Sequence, residues 1–143
     1  MKQFSKIFLA IFIAFFLFNT NSFAQDGSYY TVTTWKITTP EGGTNAEFNE
    51  IMKEWYDKVV SKNEKIISER VLRHLSGSDG RDWIFITEYA SWNDINDAAT
   101  RQNELVQEAW PDEGDRREFF RKFFSYTGTH SDEILQEIPD LRK

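Results

Sequence analysis

The sequence predicts an α+β domain in which a four-stranded antiparallel sheet carries helices on one of its faces. Four segments are predicted as strands, and the first of them, residues 29–37, is rich in β-branched and aromatic residues. Two longer segments follow helix-capping residues and repeat apolar residues at three- and four-residue steps. With one short extra helix, the order is β-α-β-β-α-(α)-β, which lets neighbouring strands pair antiparallel beside one layer of helices.

The N-terminal segment is predicted to lie outside this domain. Two lysines accompany an apolar run of 12 residues, Ile7 to Phe18, which is shorter than the ~20 residues that span a bilayer. Ser22-Phe23-Ala24 fits the small-x-small rule of signal peptidase. We therefore predict that residues 1–24 are a cleaved signal peptide, with a retained anchor helix as the alternative. The protein would be exported, to the periplasm or the medium, with no membrane span after cleavage, and residues 25–143 would form one domain.

The composition excludes several classes of function. The formal net charge is −6, and loss of residues 1–24 removes two lysines and no acids, which lowers it to −8. An acidic protein lacks the basic stripe that nucleic-acid phosphates require. The chain has no cysteine, so disulfides and thiol chemistry are excluded. It also lacks a glycine-rich phosphate loop and the GxSxG and HExxH motifs.

The domain begins with a strand and a helix. YYTVTTWKI, residues 29–37, is β-branched and aromatic, and turn residues at 39–43 close it. A helix is predicted over residues 45–62, where apolar residues recur on one face. Thr44 and Glu47 form a capping-box pattern at its start, in which a hydroxyl and a carboxylate satisfy free amides.

A hairpin and a second helix are predicted next. Residues 65–75 and 82–90 read as strands, and the Gly- and Asp-containing loop 76–81 suits the turn between them. Ser91 opens a second capping pattern, and helical spacing then continues until Pro111.

A short helix and a last strand complete the prediction. The helix is expected over residues 116–126 with Gly128 as its stop, and the strand over residues 129–138. No repeat, low-complexity tract or linker divides the elements, which agrees with a single domain.

Both faces of the predicted sheet are apolar. Alternate residues of a strand point to opposite faces, and here both sets are large and apolar. In the first strand Tyr30 and Val32 point one way and Trp35 and Ile37 the other, and in the third strand Ile84 and Ile86 lie opposite to Trp83, Phe85 and Tyr89. Since the helices can cover only one face, we expect the other to pack on a second copy of the chain.

At this level the chain resembles the dimeric α+β barrel superfamily, in which two ferredoxin-like subunits pack sheet to sheet. The element order, the two-sided strands, WIFITEYASWNDI and THSDEI carry the resemblance. It implies a homodimer. The superfamily includes cofactor-independent monooxygenases of aromatic polyketides and quinols, haem-degrading and haem-binding members, stress-responsive proteins and many members of no known function. No motif here selects one branch, so no catalytic residue is carried over.

His130 is the first candidate for a functional side chain. In a strand it shares a face with Asp132, while Glu133 points to the other face. The carboxylate could orient the imidazole as a base, or the two could hold a metal. No third ligand stands at a diagnostic spacing, so no metal site is predicted. The alternative is a histidine at the strand entrance with exposed acids.

A second group of candidates would bind a ligand. Arg70 and His74 share one face of their strand and would bring a positive charge and a titratable group to a pocket, if that face lies inward. If it lies outward, they are surface residues. The aromatic candidates Trp35, Trp83 and Tyr89 suit a flat apolar molecule, or equally a core or dimer interface.

The residues therefore favour an exported, homodimeric protein that binds a small apolar or aromatic molecule between sheet and helices, with no cofactor. The competing hypothesis is a monooxygenase-type enzyme in which His130 or His74 manages a proton. A third is a purely structural or interaction role.

Overall fold

The computed structural model describes residues 27–77 and 79–143. The predicted signal peptide, residues 1–24, lies outside this part of the chain. Within the described ranges, no helix combines the length and apolar character needed to cross a membrane.

Within these residues, four strands and three helices follow one another in the order that the sequence predicts. In chain order they are β1 Tyr29–Ile37, α1 Asn45–Lys58, β2 Ser68–Arg73, β3 Asp82–Tyr89, α2 Trp92–Ala109, α3 Glu113–Tyr126 and β4 Thr127–Gln136, with short 3₁₀ helices at Val60–Lys62 and Pro139–Leu141. The strands form one sheet in the order β2-β3-β1-β4. All neighbouring pairs are antiparallel. This is the ferredoxin-like arrangement, and the predicted fold is confirmed.

The three helices lie on one face of the sheet. Trp35, Ile37 and Trp83 point from that face into the core, where the most deeply buried large side chains are Phe48, Leu105 and Val59. The opposite face carries the other alternate residues of the strands. Its large apolar members are Tyr30, Val32, Leu72, Ile84, Ile86 and Leu135. No described helix covers this second face.

Two helix boundaries differ from the prediction. The first helix was expected to reach residue 62, but Val59 leaves the helical conformation (φ −123°, ψ −65°) and a 3₁₀ turn follows. The third helix begins at Glu113, three residues earlier than expected, because Asp112 caps it. Oδ1 of Asp112 accepts hydrogen bonds from the amides of Gly114 (2.7 Å) and Asp115 (3.1 Å).

Gly128 is not the stop of the third helix. The chain is already extended at Thr127 (φ −93°, ψ 129°), so β4 begins directly after Tyr126. Gly128 lies instead beside an irregularity in the β1–β4 register between Trp35 and Ile37. A side chain there would place its Cβ 3.1 Å from the carbonyl oxygen of Lys36, so the glycine permits a close approach of two backbones.

The start of α1 is closed through a residue from a distant helix. Oγ1 of Thr44 accepts from the amide of Glu47 (3.0 Å), as the capping pattern predicts. The amide of Thr44, however, donates to Oη of Tyr126 (3.0 Å), and that hydroxyl donates to the Glu47 carboxylate. The tyrosine is thus inserted into the capping box. The hydrogen bond to Glu47, followed by burial, raises the pKa of Tyr126.

Candidate functional site

Four side chains, three of them predicted site residues, form one row across the helix-facing side of the sheet. Arg73 on β2 lies opposite Trp83 on β3. Trp83 lies opposite Trp35 on β1, which in turn lies opposite His130 on β4. Residues paired in register share a face, and adjacent strands are about 4.8 Å apart, so the row spans about 14 Å.

At the β4 end of the row, His130 is held between an indole and a carboxylate. Its ring lies over Trp35, with 4.1 Å between ring centroids. Nδ1 of His130 is 2.9 Å from Oδ2 of Asp132, and Oγ1 of Thr33 donates to Oδ1 of the same carboxylate (2.8 Å). Both oxygens of Asp132 are therefore engaged, and the carboxylate orients the imidazole.

The Nε2 side of the His130 imidazole is accessible to solvent. The His130 side chain is 43% exposed and that of Asp132 is 58% exposed, and no described residue hydrogen-bonds Nε2 of His130. A carboxylate on Nδ1 leaves Nε2 as the proton acceptor of a neutral imidazole. The pair can therefore take a proton from a molecule that reaches the β4 edge.

Glu133 adds nothing to this pair. It lies opposite Val32, on the face turned away from the helices, as the pleat requires. Among the residues that the structure describes, no group of three or more histidine, cysteine or acidic side chains could hold a metal ion.

The β2 end of the row borders a cavity of about 340 Å³. It lies where the β2–β3 loop passes the start of α1. The residues that line it are Ile37, Asn45, Arg73, His74, Leu75, Gly80, Arg81 and Trp83. It combines an indole and two aliphatic side chains with cationic and titratable groups, which is the mixed lining that small-molecule sites have.

His74 braces the loop that forms one wall of this cavity. Its Nδ1 donates to the carbonyl oxygen of Asp79, across the loop. The other side of the ring faces Gly77, where a Cβ would lie 2.5 Å from Nε2 of His74. Gly77 also has φ of +138°, which side chains rarely adopt, so both the backbone and the packing require glycine there.

An ion-pair network fixes the same loop. Arg81 binds Asp79 through Nη2 (2.7 Å), and Lys36 binds both Asp79 (3.1 Å) and Asp82. The side chain and amide of Arg81, together with Lys36, hold the pKa of Asp79 well below its usual range. The charges of Arg81 and Lys36 are therefore balanced locally.

The structure separates the five predicted ligand-binding residues. His74 and Trp83 line the cavity, and Trp35 lies beside Trp83 in the row. Arg70 lies opposite Ile86 and faces away from the helices, so it cannot reach the cavity. Tyr89 lies on the helix-facing side but six residues along β3 from Trp83, about 20 Å away.

Sequence reasoning missed Arg73 and Glu69. Strand alternation puts Arg70 and Arg73 on opposite faces of the sheet. Only the pairing of Arg73 with Trp83 shows that Arg73 is the one on the helix side. Glu69 also faces the helices, where it accepts a hydrogen bond from Oγ1 of Thr87 (3.0 Å). Burial raises the pKa of the Glu69 carboxyl, more than the hydrogen bond lowers it. The sequence signal that could have identified Glu69 is its position as an acidic residue inside a predicted strand.

Known structures share this fold. No protein-family model and no curated protein matches the chain. It is similar to SnoaB, a cofactor-independent oxygenase from Streptomyces nogalater, with a TM-score of 0.53 and 9% identity over 82% of this chain and 99% of that one.

Two further structures with a similar fold are NIPSNAP proteins from other bacteria. A NIPSNAP family protein of unknown function from Agrobacterium tumefaciens has a TM-score of 0.51 and 12% identity, over 78% of this chain and 89% of that one. An uncharacterized NIPSNAP domain protein from Burkholderia xenovorans has a TM-score of 0.50 and 14% identity, over 80% of this chain and 99% of that one. At these identities the likenesses show the fold alone, and they agree with the predicted ferredoxin-like fold.

Proposed function

We propose that the protein binds a small aromatic or apolar molecule in the cavity beside Trp83, between the sheet and the start of α1. The observation that carries the proposal is this cavity of about 340 Å³, in which an indole and the aliphatic side chains of Ile37 and Leu75 meet polar groups. Its size falls within the range of about 300–1,000 Å³ typical of ligand sites.

The position of Trp83 supports stacking with a flat ligand. Phe48 contacts it edge-on, with 5.1 Å between ring centroids and 70° between ring planes. The indole remains only partly buried although it packs against the core, and it forms part of the cavity wall. Aromatic stacking and apolar burial would then supply most of the affinity.

The test is a titration with 2-naphthol followed by ligand-detected NMR, on the wild-type protein and on Gly80→Phe. Gly80 lines the cavity, and apart from its chain neighbours no described atom lies within 4 Å of a Cβ placed there, so a phenyl group can be added at the cavity rim without a clash at its Cβ. We expect the wild type to bind 2-naphthol and Gly80→Phe to bind it at least tenfold more weakly.

The matched control is Ser76→Phe, which adds the same side chain to the same loop at an exposed residue that does not line the cavity. It should bind like the wild type. Equal binding by Gly80→Phe would place the site elsewhere, and absence of binding by the wild type would count against the binding function altogether. Native mass spectrometry of protein purified from its own host would then show whether a ligand is retained.

The second candidate function is a monooxygenase-type reaction at the other end of the row. It is favoured by the oriented pair His130 and Asp132, because the open Nε2 of His130 could take the proton of a phenolic substrate. The deprotonated substrate would reduce dioxygen: one oxygen atom would replace two hydrogens of a substrate carbon as a carbonyl oxygen, and the other would leave as water.

Oxygen uptake with anthrone as substrate tests this reaction. His130→Gln should lower the rate by ~100-fold or more, the usual contribution of a general base, and Asp132→Asn by less. Glu50→Gln, at an exposed position of α1, is the control and should leave the rate unchanged. Uptake no faster than the uncatalysed reaction would exclude the enzyme hypothesis for this substrate class, and equal rates in His130→Gln would exclude His130.

We further propose that the protein is exported and forms a homodimer through the sheet face that no described helix covers. The apolar residues on that face are those a second copy would bury.

The apolar run and small-x-small motif of residues 1–24 support export. N-terminal sequencing of protein from its own host should find Gln25 first, and an intact N-terminus would contradict cleavage.

A further inference from the structure

The cavity beside Trp83 is lined by basic side chains, although the protein as a whole is acidic. The chain carries a formal net charge of −6. The lining of the cavity nevertheless includes Arg73, Arg81 and His74 and no aspartate or glutamate. A concave site with one sign of charge raises the local concentration of ligands of the opposite sign.

One of these basic side chains is available for a ligand. Arg81 is engaged by Asp79 through two hydrogen bonds, Nε to Oδ1 (2.9 Å) and Nη2 to Oδ2 (2.7 Å). Nδ1 of His74 is engaged by a backbone carbonyl. Among the described residues, by contrast, no carboxylate lies within ion-pair distance of Arg73. The guanidinium of Arg73 is thus the uncompensated charge of the cavity.

The same cation lies beside the surface on which a ring would stack. Arg73 and Trp83 are paired in register on the helix-facing side, so their Cβ atoms are about 5 Å apart. Asn45, the first residue of α1, lines the cavity too, and the partial positive charge of a helix start adds to that of the guanidinium. A planar guanidinium binds a carboxylate through two parallel hydrogen bonds.

From this arrangement we infer that the ligand is a small aromatic carboxylate, whose ring packs against Trp83 and whose carboxylate binds the guanidinium of Arg73. The inference rests on the proposed binding function and adds the charge of the ligand and the residue that selects it. A neutral ligand of the same shape would leave Arg73 without a partner and would gain only from stacking and burial.

The experiment compares two probes that share one ring system and differ in charge, 2-naphthoate and 2-naphthamide. Dissociation constants are measured by isothermal titration calorimetry at low salt. We expect the wild type to bind 2-naphthoate about tenfold more tightly than 2-naphthamide, as a charge-assisted bidentate contact would give. Arg73→Gln should remove this preference and leave the affinity for 2-naphthamide within twofold of the wild-type value.

Arg70→Gln is the matched control. It removes the same charge from the same strand on the opposite face, so the preference for 2-naphthoate should remain. Both arginines are exposed, and melting temperatures will verify that both variants are folded.

The outcomes separate the inference from the function on which it rests. Equal affinity of the wild type for both probes would overturn the inference and leave the binding function standing. A preference that survives in Arg73→Gln would overturn the role of Arg73. If neither probe binds, the binding function fails with the inference.

Discussion

At the scale of single residues, the molecule depends on polar side chains that connect distant segments. Tyr126 is the clearest example, since only 2% of it is exposed and its hydroxyl joins the last residue of α3 to the start of α1. Its ring also stacks on Phe48, with 5.1 Å between centroids. Gly43 leaves room for the hydroxyl, because a Cβ there would lie 2.5 Å from Oη of Tyr126.

Replacing Tyr126 by phenylalanine should destabilise the protein by about 1–3 kcal/mol. The ring stays, but the amide of Thr44 loses its acceptor in a partly buried place and the Glu47 carboxylate loses its donor. Urea unfolding measures the change, and amide exchange at Thr44 should become faster. Tyr56→Phe, at an exposed position of α1, should change the free energy of unfolding by less than ~0.5 kcal/mol. Equal effects of the two variants would contradict this role of Tyr126.

Glu69 predicts a dependence of stability on pH. Burial raises the pKa of its carboxyl in the folded protein above the ordinary value of 4.5, so the folded state holds this proton more tightly than the unfolded state. Its contribution to stability is complete below the unfolded pKa and is lost as the pH rises through the raised folded pKa. Glu69→Gln, which can still accept from Thr87, should therefore melt at a higher temperature than the wild type at pH 7.

This difference in melting temperature should shrink as the pH is lowered towards 4. Glu50→Gln, at an exposed position of α1, is the control and should show no such trend. A constant difference between pH 4 and pH 7 would show that the ionised carboxyl of Glu69 costs the fold nothing.

At the scale of elements, helix starts depend on capping residues close by in the sequence, whereas the end of the last helix does not. All three helices begin at side-chain caps, Thr44, Ser91 and Asp112, each of which accepts a hydrogen bond from an amide of the first turn. The end of α3 follows no such local signal, because the helix passes into β4 without a loop.

Asp112→Ala should remove the cap of α3 and lower the free energy of unfolding by about 1 kcal/mol. Two amides, those of Gly114 and Asp115, lose their acceptor. Chemical denaturation measures the loss, and Gln107→Ala in the exposed part of α2 is the control, with an expected change near zero or slightly favourable. A loss as small as that of the control would mean that water replaces the cap at no cost.

At the scale of the whole molecule, the helices of the described residues leave one face of the sheet uncovered. That face is apolar along the two middle strands, and polar or charged side chains surround this part, for example Arg70 on the edge strand β2, Lys36 with Asp82, and Ser68 with Glu88. An apolar centre with a polar rim is the usual composition of a protein interface.

Ile86→Lys should convert the proposed homodimer into a monomer. Ile86 lies between Arg70 and Val32 in the middle of the uncovered face, where a buried lysine would have no partner. Sedimentation equilibrium at micromolar concentration gives the mass. Phe124→Lys, at a side chain that is 56% exposed on α3, should leave the dimer intact. A wild-type protein that sediments as a monomer would overturn the proposed assembly.

The sequence by itself determined the type and order of the elements, and the helix caps at Thr44 and Ser91. It also determined that His130 shares a face with Asp132 and not with Glu133. These features depend on neighbours within a few positions, through strand alternation, helical periodicity and capping. Only the tertiary structure decided that Arg73, not Arg70, lies beside Trp83, and that Tyr126 completes the start of α1. The reason is that cross-strand register and helix packing join residues distant in the chain, and a shift of one position would turn every side chain of a strand to the other face.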